Sequence, residues 1–349
     1  MRAVQIVAPS KLEVTTVESP PIKRWEVRIA VAVAAICGSD LRFICNPTSV
    51  PMIPGHEFAG AIVETSVEAQ DAFHFGDRVT AFPMMSCLIC NPCHDGKFRD
   101  CESKVSLGFQ LPGAFSEEII VDSRFLINLE EGLSYEQGAL VEHLCCGYRL
   151  AKEIVSRKLP RNSHIVLIGD GPIALADLQM LVIFDYKNIT VIGKHSLRLN
   201  LARKLGAARV VHFGEAVIAI RNHACPIIDV CILSASAEET LNEVLPFIGS
   251  QGVVFPQTGI KGLDVLDRLH RSSIEIGRAF AYEFGDFLIV MKLIKDCKIN
   301  TKLLVSKRVE LSDVPGFISN LRKNELAYKA IIINDDFDAT LKKYQPRNL

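Results

Sequence analysis

The chain lacks any excess of charge: 39 Lys and Arg stand against 40 Asp and Glu, a net charge of -1 over 349 residues. No global attraction to nucleic acid or to an anionic membrane surface follows from that balance. It also lacks any uninterrupted apolar run of roughly 18 residues, so no transmembrane helix is expected. Met1-Arg2-Ala3-Val4-Gln5-Ile6-Val7 reads as a first strand, without the apolar core and cleavage site of a signal peptide. A cytoplasmic protein with reduced cysteines is therefore expected. There is no internal repeat, no low-complexity segment, no basic face and no nucleophile elbow, so hydrolase and nucleic-acid readings find no support.

What is present is an ordinary globular composition, 49% hydrophobic and 23% charged, of a length that suggests about two domains. The first 130 or so residues are β-rich, with short runs such as Glu26–Val33, Ala59–Glu64 and Phe115–Val121 between Gly, Pro and Asp. From about residue 163 strand-like and helical segments alternate. The strand-like runs are Ile165–Ile168, Ile189–Ile192, Arg209–His212, Ile228–Leu233 and Gly252–Phe255, with a helical pattern at Leu197–Leu205. That alternation predicts a parallel, doubly wound α/β sheet. The tail from about 288 reads as one helix and then a strand, Ala330–Ile333, which could return to the first domain.

The 11 cysteines are an odd number, in a long chain, which argues against a disulfide framework. Four of them, Cys87, Cys90, Cys93 and Cys101, follow the spacing C-x2-C-x2-C-x7-C. Four thiolates held that close suit tetrahedral Zn2+ with no open position, a structural site. Cys45, Cys225, Cys231 and Cys297 show no such spacing.

Ile165-Val166-Leu167-Ile168-Gly169-Asp170-Gly171-Pro172-Ile173-Ala174 is a G-x-G-x-x-A fingerprint after a buried strand. Gly169 allows the tight turn, Gly171 lets backbone approach a pyrophosphate, and Ala174 permits close helix–strand packing. Pro172 suits a first helical turn, and the helix N-terminus, with Ile173, offers its N–H groups to phosphate. NAD-type sheets end their second strand in a carboxylate for the ribose 2'-hydroxyl. Here that strand ends in Gly193-Lys194-His195, with Arg198 one turn on. A small residue followed by cations leaves room for a 2'-phosphate, which favours NADP(H), with NAD(H) as the alternative.

A second ligand cluster lies in two separate segments. Cys37-Gly38-Ser39-Asp40 offers a thiolate, a hydroxyl and a carboxylate, and His56-Glu57 offers an imidazole and a carboxylate. Glu142, followed by His143, adds another acid after an apolar run. Cys37, His56 and one carboxylate make an incomplete tetrahedron, as catalytic zinc sites do, and Asp40 is placed to orient His56. Taken singly, Cys37 and His56 also read as ordinary core residues.

Together these segments resemble the zinc-dependent medium-chain dehydrogenase/reductases, in the branch of sorbitol and threonine dehydrogenases. The matching pieces are Cys37–Asp40, Gly55–Gly60, Gly76–Val79, the four-cysteine lobe and Gly169–Ala174, in order over essentially the whole chain. The resemblance implies a GroES-like β-rich catalytic domain, residues 1–146 and 288–349, with its structural zinc lobe at about 84–103. It implies a Rossmann domain at 147–287, a homodimer or homotetramer, and a small-molecule alcohol or carbonyl substrate. It further implies two Zn2+ per chain. Catalytic zinc would sit on Cys37, His56 and either Glu57 or Glu142, with Ser39 on the substrate hydroxyl. The rival class is a scaffold or redox sensor of the same fold that has lost turnover.

Three departures from that branch stand out. Arg42-Phe43 replaces the His-Tyr of many polyol-oxidising relatives; Arg42 stays protonated and Phe43 has no hydroxyl. His143 follows Glu142 where relatives usually carry proline, which makes His143, Cys145 or Cys146 alternative ligands, or simply packing for the helix Leu144–Ile154. The third is Gly193 in the acidic position.

Overall fold

A computed structural model describes residues 1–223, 226–258, 263–272, 274–279, 281–321 and 328–345. Cys225 lies outside the described residues. The chain divides into two compact units: Met1–Glu142, Glu283–Cys297 and Val305–Leu349 in one, His143–Tyr282 and Lys298–Leu304 in the other. Among the described residues no helix is long and apolar enough to cross a membrane.

The first unit is built on a seven-stranded sheet. Strand β1 (Glu26–Ala35) is central and pairs antiparallel with β2 (Glu57–Thr65); helix α1 (Gly38–Cys45) follows β1 directly. Beyond β2 come β3 (Arg78–Ala81) and β5 (Leu126–Asn128), while β4 (Glu118–Asp122) also pairs with β1. Nearly every residue of β1 is buried, which explains its continuous apolar run.

The second unit is a six-stranded parallel sheet. Helix α2 (Val141–Ser156) leads to β6 (Ile165–Ile168), α3 (Pro172–Ile183), β7 (Ile189–Gly193), α4 (Ser196–Lys204) and β8 (Arg209–His212). Then come β9 (Ile228–Leu233), β10 (Ile248–Pro256) and β11 (Glu275–Ile276). The spatial order is β8-β7-β6-β9-β10-β11, so strand order reverses between β6 and β9. That is the doubly wound arrangement the alternating pattern predicted. Gly147 of α2 packs so close to α3 that an added Cβ would lie 2.7 Å from the Ala176 carbonyl carbon.

The tail is richer than one helix and a strand. It holds helices at Phe284–Lys295, Val314–Leu321 and Phe337–Tyr344. It also adds β12 (Lys307–Glu310), parallel to β13 (Ala330–Ile333), which pairs antiparallel with β1. The short helix Val314–Leu321 carries Pro315 and Gly316, which mask its signal in sequence.

Candidate active site

Strand pairing assembles the first cluster. Ala35, the last residue of β1, lies opposite Glu57, the first of β2, and opposite Ile331 of β13. Cys37, His56, Glu57 and Lys329 therefore meet at one end of the sheet. The Cys37 thiol, a His56 ring nitrogen and a Glu57 oxygen lie within 4.8 Å of one another. Gly55, just before His56, has φ +102°, and a Cβ there would lie 2.4 Å from the Phe115 ring. The turn that delivers the histidine thus depends on glycine.

Asp40, fully buried, joins two members of the cluster. Its Oδ2 accepts the Cys37 backbone N–H at 2.8 Å, reaching back across the first turn of α1. Its Oδ1 lies 3.0 Å from His56 Nδ1. That bond leaves Nε2 facing the cluster, with Ser39 Oγ 3.4 Å away. Burial opposes charge on His56, yet the Asp40 carboxylate and the Cys37 thiol together raise its pKa well above the ordinary value. The pocket is built to receive positive charge.

Lys329 is the residue sequence reasoning missed. Its ammonium donates to Glu57 Oε1 at 2.7 Å and lies 2.5 Å from Oε2 in ion-pair contact. Glu142 is buried on the opening turn of α2, and its charge helps hold the Lys329 proton. Glu142 is not within the three-residue group of Cys37, His56 and Glu57. The only cue to Lys329 in sequence was one charged residue at the mouth of an apolar strand. Thiolate, imidazole and carboxylate are the donor set that a divalent zinc-type cation takes.

The other positions resolve differently. His143 donates or accepts through Nε2 at the Pro172 carbonyl, 3.1 Å away, on the fingerprint helix. Phe43 packs edge-on against Phe109, 5.1 Å between centroids, in a cluster with Ile6 and Ile44. Arg42 is exposed.

The four-cysteine lobe is a separate group, its sulfurs also within 4.8 Å of one another. The Cys90–Cys93 and Cys87–Cys93 sulfur pairs are 3.4 and 3.9 Å apart. These bracket the separation of about 3.8 Å that two thiolates take around tetrahedral Zn2+. The Ile89 backbone pulls the Cys87 thiol down to about 6, while burial pushes Cys93 up to about 12. Phe98 anchors the lobe against Phe125 and Phe284 at 5.9 and 6.2 Å, and Arg99 pairs with Glu283 at 2.8 Å.

In the second unit the fingerprint turn has the form its glycines require. Gly169 sits at φ +132°, where a Cβ would press on Ser234 and Ala235. Gly171 caps α3 and faces open space, with nothing within 4 Å of an added Cβ. Pro172 and Ile173 open the helix, and Ala174 is buried. This is the cradle a pyrophosphate fills. At the end of β7, Lys194 is exposed, while His195 and Arg198 are partly covered.

Asp170, the variable position of the fingerprint, reaches across to that end. Its Oδ2 accepts the Lys194 and His195 backbone N–H groups at 2.8 and 2.6 Å. Its Oδ1 lies 3.1 Å from His195 Nδ1 and 3.7 Å from the Arg198 guanidinium. A Cβ on Gly193 would lie 2.7 Å from Asp170 Oδ2. The carboxylate missing from β7 is thus supplied from the neighbouring turn, a placement invisible in the motif because that position carries no consensus.

Comparison with known proteins agrees with this picture. Residues 23–131 match the alcohol dehydrogenase GroES-like domain. The chain is 28% identical to scyllo-inosose 3-dehydrogenase of Thermotoga maritima, over 93% of this chain and 90% of that protein. It is 32% identical to sorbitol dehydrogenase of Bacillus subtilis over 62% of each. Its fold matches the NADH complex of the alcohol dehydrogenase RspB from Escherichia coli CFT073, with TM-score 0.82 and 23% identity. That match covers 95% of this chain and 99% of the other. With relatives named as inosose and sorbitol dehydrogenases, the GroES-like domain and the doubly wound parallel-sheet domain are those of an oxidoreductase of the alcohol and polyol dehydrogenase type. The chain resembles the zinc-type alcohol dehydrogenases of the medium-chain dehydrogenase/reductase family, through the GroES-like domain match over residues 23–131 and its likeness to relatives of that type.

Proposed function

We propose that the protein transfers a hydride between NADP(H) and a secondary alcohol, polyol or sugar derivative, or the corresponding carbonyl. Two zinc ions per chain are part of this reading: one on Cys37 and His56 with Glu57 or Glu142, one on the four-cysteine lobe. The observation that carries it is the cluster of Cys37, His56 and Glu57 donors, with Asp40 fixing the histidine ring. When bound, zinc supplies Lewis acidity to the substrate oxygen and the nicotinamide exchanges the hydride.

The chain's own residues do the rest. Asp40 holds the His56 ring so that Nε2 faces inward. The Ser39 hydroxyl, 3.4 Å from that nitrogen, stands where a substrate hydroxyl would arrive and passes its proton outward. Lys329 offsets the negative charge of Glu57, Glu142 and Cys37. Gly169, Gly171, Pro172, Ile173 and Ala174 seat the pyrophosphate; Gly193, Lys194, His195 and Arg198 surround the adenosine ribose. Support for NADP(H) is Gly193 in place of a carboxylate on β7 itself, with Lys194 and Arg198 nearby. A homodimer or homotetramer is carried over from the family resemblance, and a cytoplasmic location from the sequence reading.

Asp170 favours a second reading, in which its carboxylate serves the ribose diol and the cofactor is NAD(H). Dissociation constants for NADPH and NADH decide between them, and a clear NADH preference sinks the first. The hydride-transfer reading itself is tested with Cys37→Ser. It should abolish turnover on every alcohol the wild type accepts, while fold and cofactor affinity stay intact; full activity would overturn the reading.

A further inference from the structure

Helix α3 carries one carboxylate, Asp177, and it is completely buried. Its Oδ1 lies 3.0 Å from Gln257 Nε2, and its Oδ2 lies 2.9 Å from Ser234 Oγ. Ser234 Oγ is in turn 2.9 Å from Gln257 Oε1. The three side chains close a ring of three contacts, and each contact needs one proton. The Gln257 amide supplies one and the Ser234 hydroxyl supplies one. The third has to come from Asp177. Turning the Gln257 amide over does not change that count, because one acceptor pair then remains between Gln257 Oε1 and Asp177 Oδ1. An ionised Asp177 leaves two oxygens facing each other at hydrogen-bond distance without a proton. A neutral acid satisfies all three contacts.

The surroundings agree. Burial pushes the acid up to about 7, against the pull of the Gln257 and Ser234 hydrogen bonds. Titratable side chains on the elements around it are Glu142, His143, Cys145, Cys146, Tyr148, Arg149, Lys152 and Glu153 on α2, and Asp229 and Cys231 on β9; none contributes to that shift. The strands β6 and β10 carry no titratable side chain.

The ring sits at a functional edge. Ser234 follows β9 and its N–H bonds to Ile168 at the end of β6; Gln257 follows β10 and its N–H bonds to Leu233. Ser234 and Ala235 are also the residues that Gly169 has no side chain to displace. These are the carboxyl ends of the strands where the sheet order reverses, the place open α/β sheets bind ligands.

We propose that Asp177 is a positioning residue that works as a neutral carboxylic acid, locking the turns after β9 and β10 to α3 and so holding the dinucleotide-binding edge in shape. The proposal rests on the dinucleotide reading above. It follows that cofactor affinity falls as pH rises through neutrality, when the acid ionises and the ring loses a hydrogen bond.

Asp177→Asn is the decisive variant. Its amide donates to Ser234 and its carbonyl accepts from Gln257, so it reproduces the neutral ring at every pH. Calorimetric titration with NADPH and NADH between pH 6 and 8.5 should show wild-type Kd rising about tenfold, the loss of one buried hydrogen bond. Asp177→Asn should stay within about twofold of its own pH 6 value. Parallel profiles for the two proteins would overturn the proposal. Thermal unfolding without cofactor tests the ring separately. The unfolded acid ionises near its ordinary 3.8 and the folded one near 7. Wild type therefore loses stability relative to Asp177→Asn throughout that interval and no further above it. A variant Tm that gains on wild type steadily from pH 4 to pH 7 and then runs parallel supports the ring. A gap that stays constant from pH 4 to pH 7 overturns it; the second amide N–H of asparagine, which the acid lacks, shifts the whole profile but not its pH dependence. If neither protein binds either nucleotide while the Tm profiles behave as stated, the dinucleotide reading fails and the neutral ring stands.

Discussion

Lys329 donates to Glu57 across 272 residues of chain, and both side chains are sealed from solvent. Burial alone would strip the lysine of its proton, but Glu57, Cys37 and Glu142 raise its pKa above the ordinary value instead. Removing one partner strands the other charge in the interior, at a cost of about 3–5 kcal/mol. Lys329→Met should therefore lower the urea midpoint sharply. The double variant Glu57→Gln with Lys329→Met should recover part of that loss, because the Glu57 charge is then no longer stranded. Strictly additive losses would show that the two residues are not coupled.

Asp170 makes the cofactor preference adjustable at one atom. Its carboxylate stands beside the space that a 2'-phosphate needs, among His195 and Arg198. Asp170→Asn should raise affinity for NADPH relative to NADH by about tenfold, the size of a single displaced charge interaction near a protein surface. Moving the acid back to β7, as Asp170→Gly with Gly193→Asp, should shift preference toward NADH, the glycine removing the Asp170 Cβ that a Gly193 side chain would otherwise meet at 2.7 Å. Unchanged NADPH-to-NADH ratios in both variants would show that this carboxylate does not read the ribose.

His164 sets an acid limit on the second unit. Its ring is buried, 3.1 Å from Thr190 Oγ1 and 3.2 Å from the Ile227 carbonyl, and stacks on His223 at 4.1 Å. Burial, and then repulsion from His223, push its pKa down to about 4 from 6.5. The unfolded chain takes up this proton first as pH falls. The contribution to stability is thus complete above 6.5 and is lost between 6.5 and about 4, at no more than about 1.4 kcal/mol per pH unit. His164→Gln should flatten the Tm profile in that interval. An unchanged acid slope would place the titrating group elsewhere.

Asp40 holds the ligand cluster from outside. Asp40→Ala frees both the His56 ring and the Cys37 amide, and loss of such a supporting carboxylate typically weakens metal binding about 10–100-fold. Competition with a chelator should release one zinc from this variant at lower chelator concentration than from wild type. Equal release would show that the ring needs no such support.

Much of this architecture was legible in the sequence because the signals are local. The strands Ile165–Ile168, Arg209–His212, Ile228–Leu233 and Ala330–Ile333 have the bounds their apolar runs indicate. The fingerprint glycines adopt the turn their spacing requires, and the close cysteine spacing brings four sulfurs together. Asp40 was legible as the partner of His56 because it lies one turn from Cys37. What was hidden depends on pairing over long separations. Lys329 reaches Glu57 only because β13 and β2 flank β1. Asp170 occupies a position where the motif tolerates any residue, so its reach to Gly193 leaves no trace in spacing. Asp177, Ser234 and Gln257 are joined only by the parallel sheet.

The central claim is a zinc held by Cys37 and His56, distinct from the zinc of the four-cysteine lobe. Elemental analysis of zinc per chain, on wild type and on Cys37→Ser, tests it most directly. The account predicts two zinc ions in the wild type and one in the variant, with NADPH and NADH affinities unchanged. One zinc in both proteins would contradict it, and would mean that the cluster at the end of β1 holds no metal.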